Sequence, residues 1–430
     1  MSPNLVKLLA CLLITFASLL VLHMISRRAR EVVQLQWLIA ATWSARLALT
    51  IVVYAFVPHL IKGSDATNYY LPETTSLLSG QLPYLDFSTC YSPLFHLLLA
   101  PFVLVWPAVG SIVVVMLLAE SLLLISYLKI GKHLDQELIF LRSAWLMVSS
   151  PVMVIWIGLM GYNGILIAAF TMLALYFQVR KQPTKAGLSA AMGLSACKLL
   201  GALTWPAVVL AGMARARTAL PMLVMVLFMA IALVLGFDVL EPVKHEGLLW
   251  NGENIWVMTA ALFPAMYRSP IVTVASPLLF GALVLVGTRL FLRNRATTEP
   301  QAFNQVVSYL VWILVLFLLT SKKTMASYYP MLFPFLIHQS MVNGPFSMRR
   351  LIPVIILSIL ATTTFRSRWL QEMIITNHFF TTGSGALLYA TVMLKDICLV
   401  TILARSWREM KGHRVVPEPE KPKLTMAAEA

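Results

Sequence analysis

The stretch "GSDATNYYLPETTSLLSGQLPYLDFSTCYSPL" (residues 63–94) decides how the chain is read. It is a polar island between apolar runs, and it holds Asp65, Glu73 and Asp86, three of the chain's 18 acidic residues. Around it, 59% of the 430 residues are hydrophobic and only 12% are charged, where a soluble domain has roughly 25% charged. Mean hydropathy is +0.80. Apolar runs of about 20 residues recur from end to end, the length that crosses a hydrocarbon core about 30 Å thick. No soluble domain of any size fits between them. The expectation is an all-α polytopic protein integral to the membrane.

A net charge of +15 raises the question of nucleic acid. The Lys and Arg fall in short clusters between apolar runs rather than along one face, so no nucleic-acid partner is expected; the bilayer is. Cys11, Cys90, Cys197 and Cys398 are scattered, with neither metal-ligand spacing nor a disulfide framework. The first apolar run, 5–25, lacks a small-residue cleavage site and is followed by "RRAR" (27–30), so it reads as a retained span.

The basic clusters orient the loops. "RRAR", "RKQPTK" (180–185), "RAR" (215–217), "RLFLRNR" (289–295), Arg349 with Arg350, and the tail from Arg405 belong on the cytoplasmic side. That places three loops outside, at 58–93, 238–270 and 365–384, and a polar cytoplasmic tail at 405–430 after a transmembrane domain at 1–404. The middle has two solutions. Residues 93–129 form one span with 186–213 a hairpin of two short spans, or they break near "VWPAVG" and 186–213 is one long helix. Both give thirteen spans.

Polar chemistry collects outside: carboxylates in the first loop, cations in the second loop and in "SKKTMASYYP" (321–330). A carboxylate within hydrogen-bond reach of a hydroxyl can deprotonate it. Cations beside it hold a phosphate and stabilise the charge that develops as it leaves. Asp65, behind Ser64, also suits a helix N-cap; Asp86 suits a turn. Glu73, behind Pro72, suits the first turn of a short surface helix ending at Gly80. Lys322 and Lys323 stand at the end of an outward run against the positive-inside bias. Lys244, His245 and Arg268 are further external cations, and Lys198 and Glu120 lie in apolar surroundings, where an ionisable group is a functional candidate.

At these residues the chain resembles membrane glycosyltransferases of the GT-C superfamily that use polyprenyl-phosphate sugars. Their first external loop opens on an acidic residue, runs through a surface helix to "G..PY.DF" and closes on "Y.PL"; each element stands in 63–94. Residues 149–211 are similar to a following segment, except that "GYNG" (161–164) has Asn163 and Gly164 where a carboxylate is often found. "TSKKTMASYYPMLFPFL" (320–336) looks like the late "K...YY...P" segment of the mannosyltransferase branch. The resemblance implies a GT-C fold with short surface helices on its external loops. It also implies an inverting transfer of mannose or another hexose or pentose from a polyprenyl-phosphate carrier to a glycolipid or cell-envelope glycan, on the external or periplasmic face of a bacterial inner or plasma membrane. Asp65 matches the general base, with Asp86 as the second catalytic candidate. Lys322, Lys323, Tyr328, Arg268 and Lys198 are assigned to the donor phosphate, and Tyr69, Tyr70 and His245 to the acceptor or sugar. A metal bridging carboxylates and diphosphate is compatible with this chemistry, but Lys and Arg suffice for a monophosphate carrier, so no obligatory cofactor is expected. The runner-up is a secondary transporter or lipid flippase, which requires charged residues paired inside the spans.

Overall fold

Apolar runs surrounded by lipid must satisfy every backbone group internally, and a helix does so within one segment. The computed structural model describes residues 3–26, 31–57, 64–195, 199–247, 251–266, 269–342, 348–362 and 380–412. Almost all of it is helix. The first half comprises α1 (Pro3–Ile25), α2 (Glu31–Phe56), α3 (Leu71–Leu78), α4 (Pro93–Val105), α5 (Val109–His133), α6 (Glu137–Ser149), α7 (Gly164–Val179), α8 (Pro183–Ser195) and α9 (Trp205–Ala211). The second comprises α10 (Arg215–Val234), α11 (Glu241–Gly247), α12 (Ile255–Leu262), α13 (Pro270–Arg293), α14 (Glu299–Thr320), α15 (Tyr329–Val342), α16 (Met348–Thr362) and α17 (Gly383–Met410). The sheet is a single parallel pair of two-residue strands, β1 (Asn251–Gly252) and β2 (Lys323–Thr324).

Seven helices among the described residues are long and apolar enough to cross a membrane: α1, α2, α5, α10, α13, α14 and α17. An eighth span results if α6 and the π-helical segment Met153–Leu159, bent by 60° across Ser150–Pro151, count as one. The thirteen expected spans are thus not reached by length and composition. The other apolar runs fold as helices of 13 to 16 residues, among them α4, α7 and α8. At 1.5 Å per residue these reach only about 20–24 Å, short of the core thickness.

Both disputed stretches are broken. Ser92 caps α4, its Oγ accepting from Leu94 N at 3.3 Å with Pro93 in the first turn. The helix stops at Trp106, Pro107 intervenes, and α5 starts afresh. Residues 186–213 are not one helix either. The Nε1 of Trp205 donates to the Ala190 carbonyl at 3.0 Å, folding Leu199–Ala211 back along α8.

Ion pairs and hydrogen bonds show which turns share an end. Arg142 grips Glu31 with two bonds of 2.6 and 3.0 Å, and Gln36 reaches Glu137. Lys129 lies 6.0 Å over the Tyr176 ring, Gln178 donates to Thr218 at 3.0 Å, and Lys181 pairs with Glu299 at 3.2 Å. The turns "GKHLDQE" and "RKQPTK" therefore gather at one end, the basic end. The quoted polar loops gather at the other.

Burial separates centre from rim. The apolar window of α14 is 83% buried and that of α5 is 67%, against 11% for α10 and 17% for α13. Among the described residues, two glutamate–cation pairs cross the interior. Between α2 and α5, Arg46 meets Glu120 at 2.8 Å and also donates to the carbonyls of Val148 (3.1 Å) and Met153 (2.9 Å) on either side of the bend. The second joins Lys395 to Glu253.

Candidate functional site

Beyond α2 the described chain resumes at Ser64, which is fully buried. Ser64 does the capping. Its Oγ accepts from Thr67 N at 3.3 Å, and its carbonyl accepts from Thr67 and Asn68. Asp65 is already helical (φ −59, ψ −31) and makes no side-chain cap bond to the π-helical segment Ala66–Tyr70. The capping role expected for Asp65 thus falls one residue earlier, because Ser64 supplies the oxygen. Asp65 is half-buried, and Tyr91 Oη donates to its Oδ2 at 3.4 Å. Burial first, then Tyr70 and Asp65, holds the Tyr91 phenol well above its ordinary range, so it stays a donor. Tyr70 is fully buried, edge-on to Tyr91 and Phe95 at 4.8 and 4.9 Å. Of the two tyrosines assigned to sugar, Tyr70 packs this aromatic bed and only Tyr69, 51% exposed, faces outward.

Glu73 sits in the first turn of α3, as its position after Pro72 implies, but its carboxylate has a closer task. Its Oε2 accepts from Thr89 Oγ1 at 2.6 Å and lies 3.2 Å from Nε2 of His96, a fully buried residue on α4. The other ring nitrogen of His96 is 3.1 Å from Thr74 Oγ1, and Thr89 Oγ1 accepts from Tyr91 N at 3.0 Å. A polar thread therefore runs from His96 through Glu73 and Thr89 to Tyr91 and Asp65. Nothing in the sequence marked His96, which lies among Leu, Phe and Ala. Asp86 takes no part in this thread. It is exposed, and its Oδ2 closes a turn by accepting from Leu82 N at 2.7 Å. The second loop lies alongside, with Ser88 donating to Glu241 at 2.8 Å, and its Lys244 is engaged by Asp238 at 2.6 Å.

The turn "GYNG" joins the first loop to the late segment. Gly161 has φ +67, a conformation that suits glycine, and a Cβ there would sit 3.4 Å from the Ala66 side chain and 3.0 Å from Val113. A Cβ at Gly164 would lie 3.2 Å from the Ser327 carbonyl. The turn is wedged between the residue after Asp65 and the residue before Tyr328. The three segments that carry the family resemblance meet here.

In the late segment, β2 contains Lys323 and pairs with β1, so the second loop is stitched to it with Asn251 opposite Lys323 and Gly252 opposite Thr324. The Asn254 side-chain amide reinforces this joint, donating to Thr324 Oγ1 at 2.9 Å and to the Ser321 carbonyl. Lys322 points toward Thr273 Oγ1 at 3.3 Å, and partial burial lowers its pKa. Tyr328 is buried against Phe317. Lys198 and Arg268 lie outside the described residues, as does the His245 side chain; its backbone belongs to α11.

A group that sequence reasoning missed adjoins this segment. Lys395, 1% exposed on α17, pairs with Glu253 beside β1 and sits 5.7 Å over the ring of Tyr329. Next to it, Asp396 is 8% exposed, and both its carboxylate oxygens are buried without a hydrogen-bond partner among the described residues. The signal was there to find: an adjacent Lys-Asp pair inside an apolar run.

Among the described residues, no three His, Cys, Asp or Glu side chains are grouped closely enough to hold a metal ion. A concavity of about 540 Å³ is lined by Thr288, Arg289 and Arg293 near the far end of α13, remote from Asp65. Compared with known proteins, the chain matches no family model and no curated sequence. What the fold defines is an all-α protein whose long apolar helices suit a polytopic place in the membrane.

Proposed function

We propose that the protein is an inverting glycosyltransferase of GT-C type. It moves a hexose or pentose from a polyprenyl-phosphate carrier to a glycolipid or cell-envelope glycan at the external face. The observation that carries this reading is the meeting of three polar segments: Ala66 against Gly161, and Gly164 against Ser327. It brings the end bearing a half-buried, non-capping carboxylate toward the end bearing the cations.

In the reaction, Asp65 takes the proton of an acceptor hydroxyl. The acceptor oxygen bonds to the anomeric carbon, the bond from that carbon to the phosphate oxygen breaks, and the polyprenyl phosphate leaves with the electron pair. Tyr91, kept protonated, fixes the orientation of the carboxylate. Lys322 and Lys323 attract the anionic donor. Asp86 has a turn to close and no role in the chemistry.

Transfer of radiolabelled sugar from a synthetic polyprenyl-phosphate donor tests this with purified protein in lipid nanodiscs. Asp65→Asn lowers transfer by about 10²–10⁴-fold, the contribution of a general base, while Asp86→Ala keeps most of it. Full transfer by Asp65→Asn removes the assigned base. A secondary transporter or flippase is the second reading, favoured by the two buried glutamate–cation pairs. Solute or lipid movement in liposomes, with no donor supporting transfer, selects it.

A further inference from the structure

Lys395 and Asp396 have no place in the scheme above, yet they are the most costly arrangement near the late segment. An ammonium, a carboxylate from the second loop and a carboxylate with no hydrogen-bond partner among the described residues share one buried spot on the last span. Desolvating such groups is expensive, and well-packed apolar side chains would serve a purely structural purpose at least as well.

Three features define what the spot fits. The first is the origin of the partners. Lys395 belongs to a membrane helix, while Glu253 comes from the second loop, which is held by β1–β2 pairing and Asn254. Asn254 and Trp256 keep that loop on the bundle, bonded to the Ser321 and Thr320 carbonyls, so an exchange needs only the Glu253 side chain to turn away. The second is charge. A sugar-phosphate ester of a lipid alcohol is a phosphodiester with one negative charge, so exchanging the Glu253 carboxylate for it leaves the net charge around Lys395 unchanged. The third is Asp396, whose two carboxylate oxygens meet no donor among the described residues and match donors on an occupant. Sugar hydroxyls are such donors. The Tyr329 ring lies 5.7 Å from the ammonium, with Glu253, Asp396 and the Cys398 thiol around it, and Tyr329 follows Tyr328 in the chain.

We infer that Lys395 and Asp396 form a binding site for a lipid-linked sugar phosphodiester, Lys395 taking the phosphate and Asp396 the sugar hydroxyls. Glu253 holds the site closed as a carboxylate stand-in that the phosphate displaces. The inference deepens the glycosyltransferase reading and rests on it for the identity of the ligand. It moves the phosphate anchor from Lys322, which is turned to Thr273, to a lysine that is shielded until the Glu253 side chain turns away.

The test is binding to full-length protein in nanodiscs, with farnesyl phosphate, a farnesyl phosphodiester of mannose, farnesol and inorganic phosphate as separate probes. Glu253→Gln, which removes the competing charge, tightens binding of both farnesyl phosphates by about tenfold. Lys395→Met combined with Glu253→Gln, a pair that leaves no uncompensated ammonium, weakens it by roughly thirtyfold or more. Asp396→Asn weakens the sugar phosphodiester more than farnesyl phosphate. Farnesol does not compete, and inorganic phosphate competes only weakly without the lipid tail. Unchanged affinity in the Lys395→Met, Glu253→Gln variant overturns the inference, as does looser binding in Glu253→Gln. The two readings fail separately. Farnesyl phosphates that bind through Lys395 without any sugar transfer sink the enzyme and keep the site; transfer with wild-type KM in the double variant does the reverse.

Discussion

Arg46–Glu120 and Lys395–Glu253 are both glutamate–cation pairs closed off inside a greasy bundle, yet their surroundings differ. Arg46 reaches its partner on α5 and two carbonyls flanking the α6 bend, all parts of the helix framework. Lys395 reaches a glutamate on a loop, and its neighbour Asp396 has no donor among the described residues. The first pair ties helices together, although Arg46 Nε and Glu120 Oε2 are buried without a hydrogen-bond partner among the described residues. The second draws its partner from a loop and has the Asp396 carboxylate beside it. The element that supplies the partner is therefore what distinguishes the two pairs.

That contrast is breakable. Glu120→Ala strands the Arg46 guanidinium and lowers stability by about 3–5 kcal/mol, seen as a fall in Tm in detergent, whereas Arg46→Met with Glu120→Met recovers most of it. Glu253→Gln costs much less, because the amide oxygen still accepts from Lys395 and Asn254 and Trp256 still hold the loop. Equal losses for Glu120→Ala and Glu253→Gln would erase the distinction. A middle-sized effect is expected at the first loop. Glu73→Ala leaves His96 and Thr89 without their shared acceptor, worth about 1–3 kcal/mol. Hydrogen exchange should speed up over 71–105 and stay slow at the basic end; uniform protection would show that the thread from His96 to Asp65 carries no weight.

The smallest effect concerns pH. The Tyr91 phenol is raised above its ordinary value of 10.0 in the folded protein. Above that value the unfolded chain has lost the proton and the folded one keeps it, so Tyr91 adds a stability loss as pH rises from about 9 to 11. Tyr91→Phe should flatten that limb of a Tm-against-pH curve; an unchanged slope would mean that Tyr91 is not the buried phenol involved.

The membrane character was legible because it rests on averages over whole runs, which a few exceptions do not alter. The same averaging hid Arg46, Lys395 and Asp396, each diluted by its apolar neighbours. Among the described residues only seven or eight segments have the length and composition to cross; Pro107 and Pro151 mark breaks in apolar runs, and a helix of 13 residues reads as apolar as one of 25. At the site, Asp65 stood out by its place after an outward run, and Asp86 by its turn chemistry. His96 did not, since its partner Glu73 is brought to it by the packing of α3 on α4 rather than by spacing along the chain. The cap was expected at Asp65, and only geometry put it at Ser64.

The glycine turn at 161–164 acts as a gauge. With one glycine pressed against Ala66 and the other against the Ser327 carbonyl, it sets the gap between the carboxylate end and the cation end by backbone thickness alone. No rotamer can adjust a spacer of that kind. If the proposed transfer takes place here, a ligand bridging the two ends has to match that width, and the turn selects by length where side chains would select by shape.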